Sequence, residues 1–426
     1  MPTSLKKLHY NINFKKIHIF MFKILILCIP VNLGKHFIYP WSYYRGILVD
    51  YLIPTINFLD IVLFLVIAFW LLDVGFRGLK QASAKNSNAT RVLLLFLLSL
   101  TLSAITSINI YASLHYIARI FLYVLLVFYV FGNFNKTFWL NTIIMYFAVS
   151  VALVSLTGIL QWQNQGSIFD NYMYFGEQPY SASTRGVAIE NILGANYIPS
   201  YGTFRHPNIF GGFLALSLLW LFVYIPYDSR ILLALILGMF ALFFTFSQIA
   251  WLAFVLGLVF LLIKNLDRTT ILPGFLTGLI VILGLFLPFF SNEWSNTKPS
   301  FYRRANLIQS SYAIISERFW FGTGPNTNTL VIEQYAPPSQ ELRFVQPVHN
   351  MFLLVLAENG IFNLISFVML FILCIKRRAS LLMFISILQI LILGSFDHYF
   401  VTINQLQLLF WLTLGLTLTY NSFDYV

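Results

Sequence analysis

Three polar clusters interrupt the long apolar runs of this chain, and each holds residue types that can do chemistry. The first is Pro347-Val348-His349-Asn350. An imidazole with its ordinary pKa of about 6.5 accepts a proton at neutral pH and suits a general base, while a His-Asn pair serves equally well as a helix cap. The second is Arg303-Arg304, heading a segment in which Ile308, Tyr312, Ile315 and Phe319 recur at helical spacing. Two guanidiniums there could grip a diphosphate through paired planar hydrogen bonds, or hold lipid head groups from an interfacial helix. The third is Gly202-Thr203-Phe204-Arg205-His206-Pro207-Asn208, just before an apolar stretch that opens with Gly211 and Gly212. Pro and Asn suit a helix start, whose free N–H groups and positive dipole end attract an anion. Arg205 adds a cation at that point, or snorkels to lipid phosphates. His206, Asn208 and Asn350 are the candidate substrate contacts beside these groups. Glu358 joins them only if Gly360 permits a kink, because it lies about 13 Å farther along a helix begun at His349.

The elements that must position these groups follow from composition. Of 426 residues, 59% are hydrophobic, 18% aromatic and only 10% charged, against about 25% charged in a soluble chain. Mean hydropathy is +0.78. A soluble fold is excluded, and the chain reads as an all-α polytopic membrane protein forming a single domain over 1–426. Apolar blocks near 17–33, 55–75, 92–110, 113–132, 139–160, 208–225, 231–247, 249–263, 271–290, 349–375, 381–395 and 405–420 predict about twelve spans. The first, preceded by Lys6, Lys7, Lys15 and Lys16, lacks a small-residue cleavage site and reads as an uncleaved helix.

With a cytoplasmic N-terminus, the inside loops collect Arg77, Lys80, Lys85, Arg91, Lys136, Arg230, Lys264, Arg268, Lys376, Arg377 and Arg378. The net charge of +11 thus sits where the positive-inside rule puts it, and nucleic acid is not its implied partner. Both termini are expected in the cytoplasm, with long extracytoplasmic loops over 161–206 and 291–348, the latter containing short helices. Loops of that length in a compact membrane protein usually carry function. Among intramembrane charges Arg119 needs a carboxylate partner, and Asp60 is the candidate. Trp162, Tyr172, Tyr174, Phe175, Tyr180, Tyr197 and Tyr201 crowd the first loop, as sugar-stacking faces or as an interfacial belt. Cys28 and Cys374 both lie in apolar blocks, so neither a disulfide framework nor a thiolate metal site is indicated.

In order along the chain, Gly202-Thr203-Phe204-Arg205-His206-Pro207-Asn208, Arg303-Arg304, Phe321-Gly322-Thr323-Gly324-Pro325, His349-Asn350, Glu358-Asn359-Gly360 and Asp397-His398-Tyr399 leading to Leu408-Leu409-Phe410-Trp411-Leu412 resemble the bacterial O-antigen ligase and polymerase superfamily. The likeness spans the chain from about residue 200 onward. It implies a GT-C-like glycosyltransferase of the bacterial cytoplasmic (inner) membrane, which moves a glycan from an undecaprenyl-diphosphate carrier to a hydroxyl of a glycan, lipid or protein acceptor, among membrane lipids. It implies neither cofactor nor metal, and no Asp-x-Asp motif occurs. By position, His349 matches the family's functional histidine, Arg303 or Arg304 the essential arginine of the large loop, and Arg205 that of the earlier one. One departure stands out: Ser247-Gln248-Ile249-Ala250-Trp251 occupies the place where many members read Ser-Arg-Gly-Ala-Trp. The competing class is a transporter or flippase of lipid-linked oligosaccharide, against which stand the two long loops and the lack of an internal repeat. A structural scaffold in an envelope complex would tolerate loss of His349 and the loop arginines together.

Overall fold

The computed structural model describes residues 13–134, 143–192, 194–262, 299–335, 345–377 and 380–419. The expected span at 271–290 lies outside these residues, as do Lys6, Lys7, Lys136, Lys264, Arg268 and Arg378. Within them the chain is a helical bundle: α1 Phe14–Leu27, α2 Phe58–Lys85, α3 Ser87–Ile105, α4 Ile110–Asn133, α5 Ile144–Asn164, α6 Pro207–Tyr224, α7 Ile231–Phe244, α8 Gln248–Leu262, α9 Pro299–Glu317, α10 Ile332–Tyr335, α11 Met351–Lys376, α12 Leu381–Phe396, α13 Tyr399–Thr402 and α14 Asn404–Thr419. Among the described residues six helices, α2 to α6 and α11, are long and apolar enough to cross a membrane, and α7, α8 and α12 are shorter apolar helices. The protein is therefore a multi-pass membrane protein, with fewer full-length spans described than the dozen expected.

Helices that are apolar all round belong at the centre of such a bundle. Helix α6 is buried along most of its length, and α14 from Asn404 to Leu418, whereas α2 turns much of its surface outward. The two closely spaced pairs of blocks do form separate helices. Asn109 caps α4 by accepting from the Ala112 N–H at 3.3 Å, and Phe246, with φ 52°, turns the chain between α7 and α8. Arg119 finds the partner expected of it: its Nη2 donates to Asp60 Oδ2 at 3.0 Å and to the Thr55 carbonyl at 2.6 Å, while Asn404 Nδ2 donates to Asp60 Oδ1 at 2.9 Å. A buried charge is tolerable when bonded in this way.

The helices alternate in direction. Lys85, Arg91, Arg230, Lys376 and Arg377 fall at one end of the bundle, where Lys85 Nζ reaches the Phe131 carbonyl at 3.2 Å. His349, Arg205 and the start of α9 fall at the other. At that second end the 34–57 connection, which carries no helical or strand signal of note in the sequence, forms two small antiparallel pairs. Strand β1 (Gly34–His36) pairs with β4 (Thr55–Asn57), and β2 (Tyr43–Tyr44) with β3 (Ile47–Leu48). Strands β5 (Glu190–Ile192) and β6 (Ala195–Tyr197) form a third pair in the loop after α5.

One expectation is corrected here, and one of two alternatives is set aside. Helix α9 buries Leu307, Ser310, Ser311, Ile314 and Ile315 against the core; Ile308 and Tyr312 flank that face, and Phe319 lies beyond the helix, 40% exposed. The bundle supplies a broad apolar partner, so the buried stripe is set by packing on α11 rather than by a lipid surface. Trp162 is likewise no open sugar platform: it stacks on Phe244 with centroids 5.0 Å apart and packs against Tyr197 and Phe246.

Candidate functional site

Asn350 builds the site's frame. Its Oδ1 accepts from the backbone N–H groups of Phe352 and Leu353, 3.0 Å each, capping α11, and its Nδ2 donates to the Ser395 carbonyl at 3.0 Å. The cap satisfies N–H groups that a helix start leaves orphaned. The bond to Ser395 ties the start of α11 to the end of α12, so the residue before the cap, His349, stands beside the residue after α12, Asp397. Asn350 is 1% exposed, and its side chain is committed to this frame.

His349 Nδ1 lies 3.4 Å from Asp397 Oδ1, an ion-pair distance. Asp397 Oδ1 also accepts the His398 N–H at 2.8 Å. The His398 ring lies 5.2 Å from that of His349 and is held by a 2.7 Å bond between its Nδ1 and Thr402 Oγ1. Arg304, on the first turns of α9, brings Nη1 to 3.4 Å from the Phe396 carbonyl. The His349 side chain keeps 22% of its surface exposed and that of Asp397 12%, so the pair faces an opening. Burial would raise the Asp397 carboxyl, but the charges of His349, His398 and Arg304 together hold it well below the usual carboxylate range. His398 is pushed down to about 4, first by burial and then by His349 and Arg304 against the pull of Asp397. At neutral pH Asp397 is therefore a carboxylate and His398 neutral.

The remaining sequence candidates divide. His206 caps α6, its Nδ1 accepting from the Asn208 N–H at 3.1 Å. It is open to solvent yet densely flanked by protein, and that desolvation lowers its pKa, with Asp397 opposing the shift and the charges of His349 and Arg304 adding to it. His206 thus belongs with His349, Asp397, His398 and Arg304, while Asn208 contributes its backbone. Arg205 stands among the residues of the 34–57 connection and the first loop, where its charge acts on His36, Tyr51 and Tyr172. Tyr51 joins the two groups: its ring meets His398 edge-on at 5.9 Å, and both Arg205 and Asp397 act on its hydroxyl. Arg303 precedes Arg304 by one residue, about 100° round the helix, is half-buried and makes interactions of its own.

Glu358 works on the loop rather than on the mouth. Its two oxygens accept the Asn326 and Asn328 N–H groups, 3.0 Å each. Glycine 360, at φ 73° and ψ 179°, breaks α11 just beyond it, so the kink admits the turn Gly322-Thr323-Gly324 against the helix. There Thr323 and Gly324 donate to the Ala357 and Glu358 carbonyls at 3.0 and 2.8 Å. A second buried carboxylate repeats the device in the first loop: Glu177, 0% exposed, accepts from Gln161 Nε2 at 2.6 Å and from the Ile168 and Phe169 N–H groups at 2.9 and 2.6 Å. Asp397, Tyr51 and Glu177 were not among the site residues chosen from sequence. Asp397-His398 was visible as an ionisable pair at a block end, but nothing local signalled Tyr51 or Glu177.

The ligand atoms of His349, Asp397 and His398 lie within 4.8 Å of one another, a donor set that could hold a dication. Arg304 is a cation acting on the same carboxylate, which favours a recess that receives an anion and moves a proton.

Residues 232–368 match the family model described as O-Antigen ligase. The match covers about a third of the chain and agrees with its resemblance to the O-antigen ligase and polymerase superfamily. No curated protein matches the chain. The matched stretch contains Arg303, Arg304, His349 and Glu358, whereas Arg205, Asp397 and Tyr51 reach the O-antigen ligase signature only through the fold.

Proposed function

We propose that the protein is a glycosyltransferase of surface-polysaccharide assembly, working at the outer leaflet of the bacterial cytoplasmic membrane with both termini in the cytoplasm. The observation that carries the reading is the His349–Asp397 pair beside Arg304, at the bundle end opposite the basic loops, in a chain with an O-antigen ligase match. The donor is a glycan on undecaprenyl diphosphate, and the acceptor a hydroxyl. With Nδ1 turned toward Asp397, Nε2 of His349 takes the acceptor proton as the oxygen attacks the anomeric carbon. The bond from that carbon to the diphosphate oxygen breaks, and the carrier diphosphate leaves with the electron pair. Attack from the face opposite the leaving group inverts the anomeric centre.

Arg304 and Arg205 stabilise the departing charge, and Arg303 supports that grip from the same turn. His206 and Asn208 border the donor phosphates at the start of α6. Asn350 and Glu358 position the base and the loop without touching substrate. General-base assistance is worth about 10² to 10⁴ in rate, and removing one charge-stabilising donor costs about 10² to 10³. No step requires a metal.

Purified protein given the carrier-linked glycan and an acceptor should form a new covalent product, with or without EDTA. His349→Ala should form none while inserting and folding normally. Product at near-normal rate from that variant would remove the base, and glycan moved between leaflets without product would make the protein a carrier.

A further inference from the structure

The 34–57 connection does more than wall the site. Tyr39 stacks on Trp41 with centroids 5.4 Å apart and planes 10° from parallel, and Trp41 stacks on Tyr111, at the start of α4, at 5.8 Å and 20°. Those separations exceed a face-to-face sandwich, so the rings are offset and part of each face stays open. Tyr39 is 46% and Tyr111 62% exposed. The base of this ridge is rigid: Trp41 packs on Val49, Leu52 and Ala112, the Val49 N–H donates to the Ser42 carbonyl at 3.0 Å, and Ser42 Oγ donates to the Leu52 carbonyl at 3.4 Å. The same small cluster holds Tyr51, whose ring lies against His398, and Val345, four residues before His349. The ridge is thus continuous with the candidate site.

One feature separates it from a membrane-interface belt. Belt residues insert singly, ring to lipid and polar tip to water, whereas these rings cover one another in a row. The surface around them is mixed, with Lys35, His36, Arg45 and Asp50 exposed beside the equally exposed Phe37, Ile38, Tyr43 and Leu48.

We propose that the Tyr39–Trp41–Tyr111 ridge is a saccharide subsite, holding pyranose rings of the glycan one or more units away from the reacting anomeric carbon. The apolar C–H face of a pyranose meets the electron-rich face of an aromatic ring, and offset parallel rings present such faces at successive heights. This inference rests on the glycosyltransferase reading above. It leaves two sources of one chemistry, the glycan of the donor and that of the acceptor, which the kinetics separate.

The test uses full-length protein in lipid nanodiscs, with Tyr39→Ala/Tyr111→Ala and Tyr39→Phe/Tyr111→Phe double variants. In transfer assays the Ala variant should raise KM by about tenfold, the loss of two ring contacts, for whichever substrate lies on the ridge. That rise should grow with the number of repeat units, and the Phe variant should restore it. In a separate binding measurement, polysaccharide released from the host's carrier lipid by mild acid should bind wild type and the Phe variant alike, and the Ala variant about tenfold more weakly. Equal affinity in all three, failure of Phe to rescue, or a matching fall in thermal stability of polysaccharide-free discs would overturn the subsite. Absence of any transfer by wild type would sink the enzymatic reading, while the binding measurement would still decide the ridge.

Discussion

An imidazole becomes a useful base only when something fixes which nitrogen faces the substrate and stabilises the cation that forms, and Asp397 is placed to do both for His349. Asp397→Asn keeps an oxygen for the His398 N–H but removes the charge. It should lower kcat by about 10² to 10⁴ while KM for the donor and the melting temperature hold, a split that steady-state kinetics beside scanning fluorimetry would show. Arg304 brings its planar donor fork to the Phe396 carbonyl, next to the same carboxylate, on which its charge acts. Arg304→Lys should cost nearly as much as Arg304→Ala, about 10² to 10³ in rate; full rescue by Lys would reduce it to a simple charge or a lipid anchor. His349 and Arg304 were legible in the sequence because each stands beside an apolar block in a chain with few charges. The role of Asp397 was not, since its partnership with His349 crosses α11 and α12 and depends on the Asn350 Nδ2 bond to Ser395. Arg303 and Arg304 could not be told apart in the sequence; on the helix, Arg304 acts on Asp397 and Arg303 makes interactions of its own.

At the scale of elements, two loops are held by two buried carboxylates. Glu177 gathers the loop after α5, and Glu358 gathers the loop after α9, each accepting two backbone N–H groups. A carboxylate so bonded converts a long irregular segment into a fixed wall, which is what a site built on loops requires. The sequence showed Glu358 as a buried carboxyl near a glycine, and its depth along α11 argued against substrate contact, but the partner it would find in the Gly322–Asn328 turn is a tertiary matter. Gly360 is the hinge of this arrangement: its backbone lies in a region that other residues essentially never adopt, and an added Cβ would strike the Trp320 carbonyl. Gly360→Ala should therefore destabilise the protein by about 1 to 3 kcal/mol or more and release the loop, read as a lowered melting temperature with faster protease cleavage between 318 and 330. An unchanged melting temperature would mean that the kink is not required. The 34–57 hairpins escaped sequence reading because their strands are only two or three residues long, too short for alternation to register.

At the scale of the whole molecule, the two ends of the bundle differ in charge and in content. Apolar blocks and the distribution of Lys and Arg foretold a polytopic bundle with its long loops on one side, and the alternating helices place Arg91, Arg230 and Lys376 at one end and His349, Arg205 and Tyr51 at the other. That separation gives the proposed function its physical sense: in the proposed orientation a carrier-linked glycan at the outer leaflet would meet the base and the guanidiniums without crossing the bundle, and the cationic loops would stay with the anionic inner leaflet. Labelling of single cysteines tests it directly. After Cys28 and Cys374 are replaced by Ser, Arg45→Cys, exposed on the turn between β2 and β3, should react with a membrane-impermeant maleimide added outside intact spheroplasts. Arg91→Cys, exposed near the start of α3, should react only after permeabilisation. The reverse pattern would turn the site toward the cytoplasm, where a carrier-linked glycan at the outer leaflet could not reach it, and would invert the topology inferred from the charges.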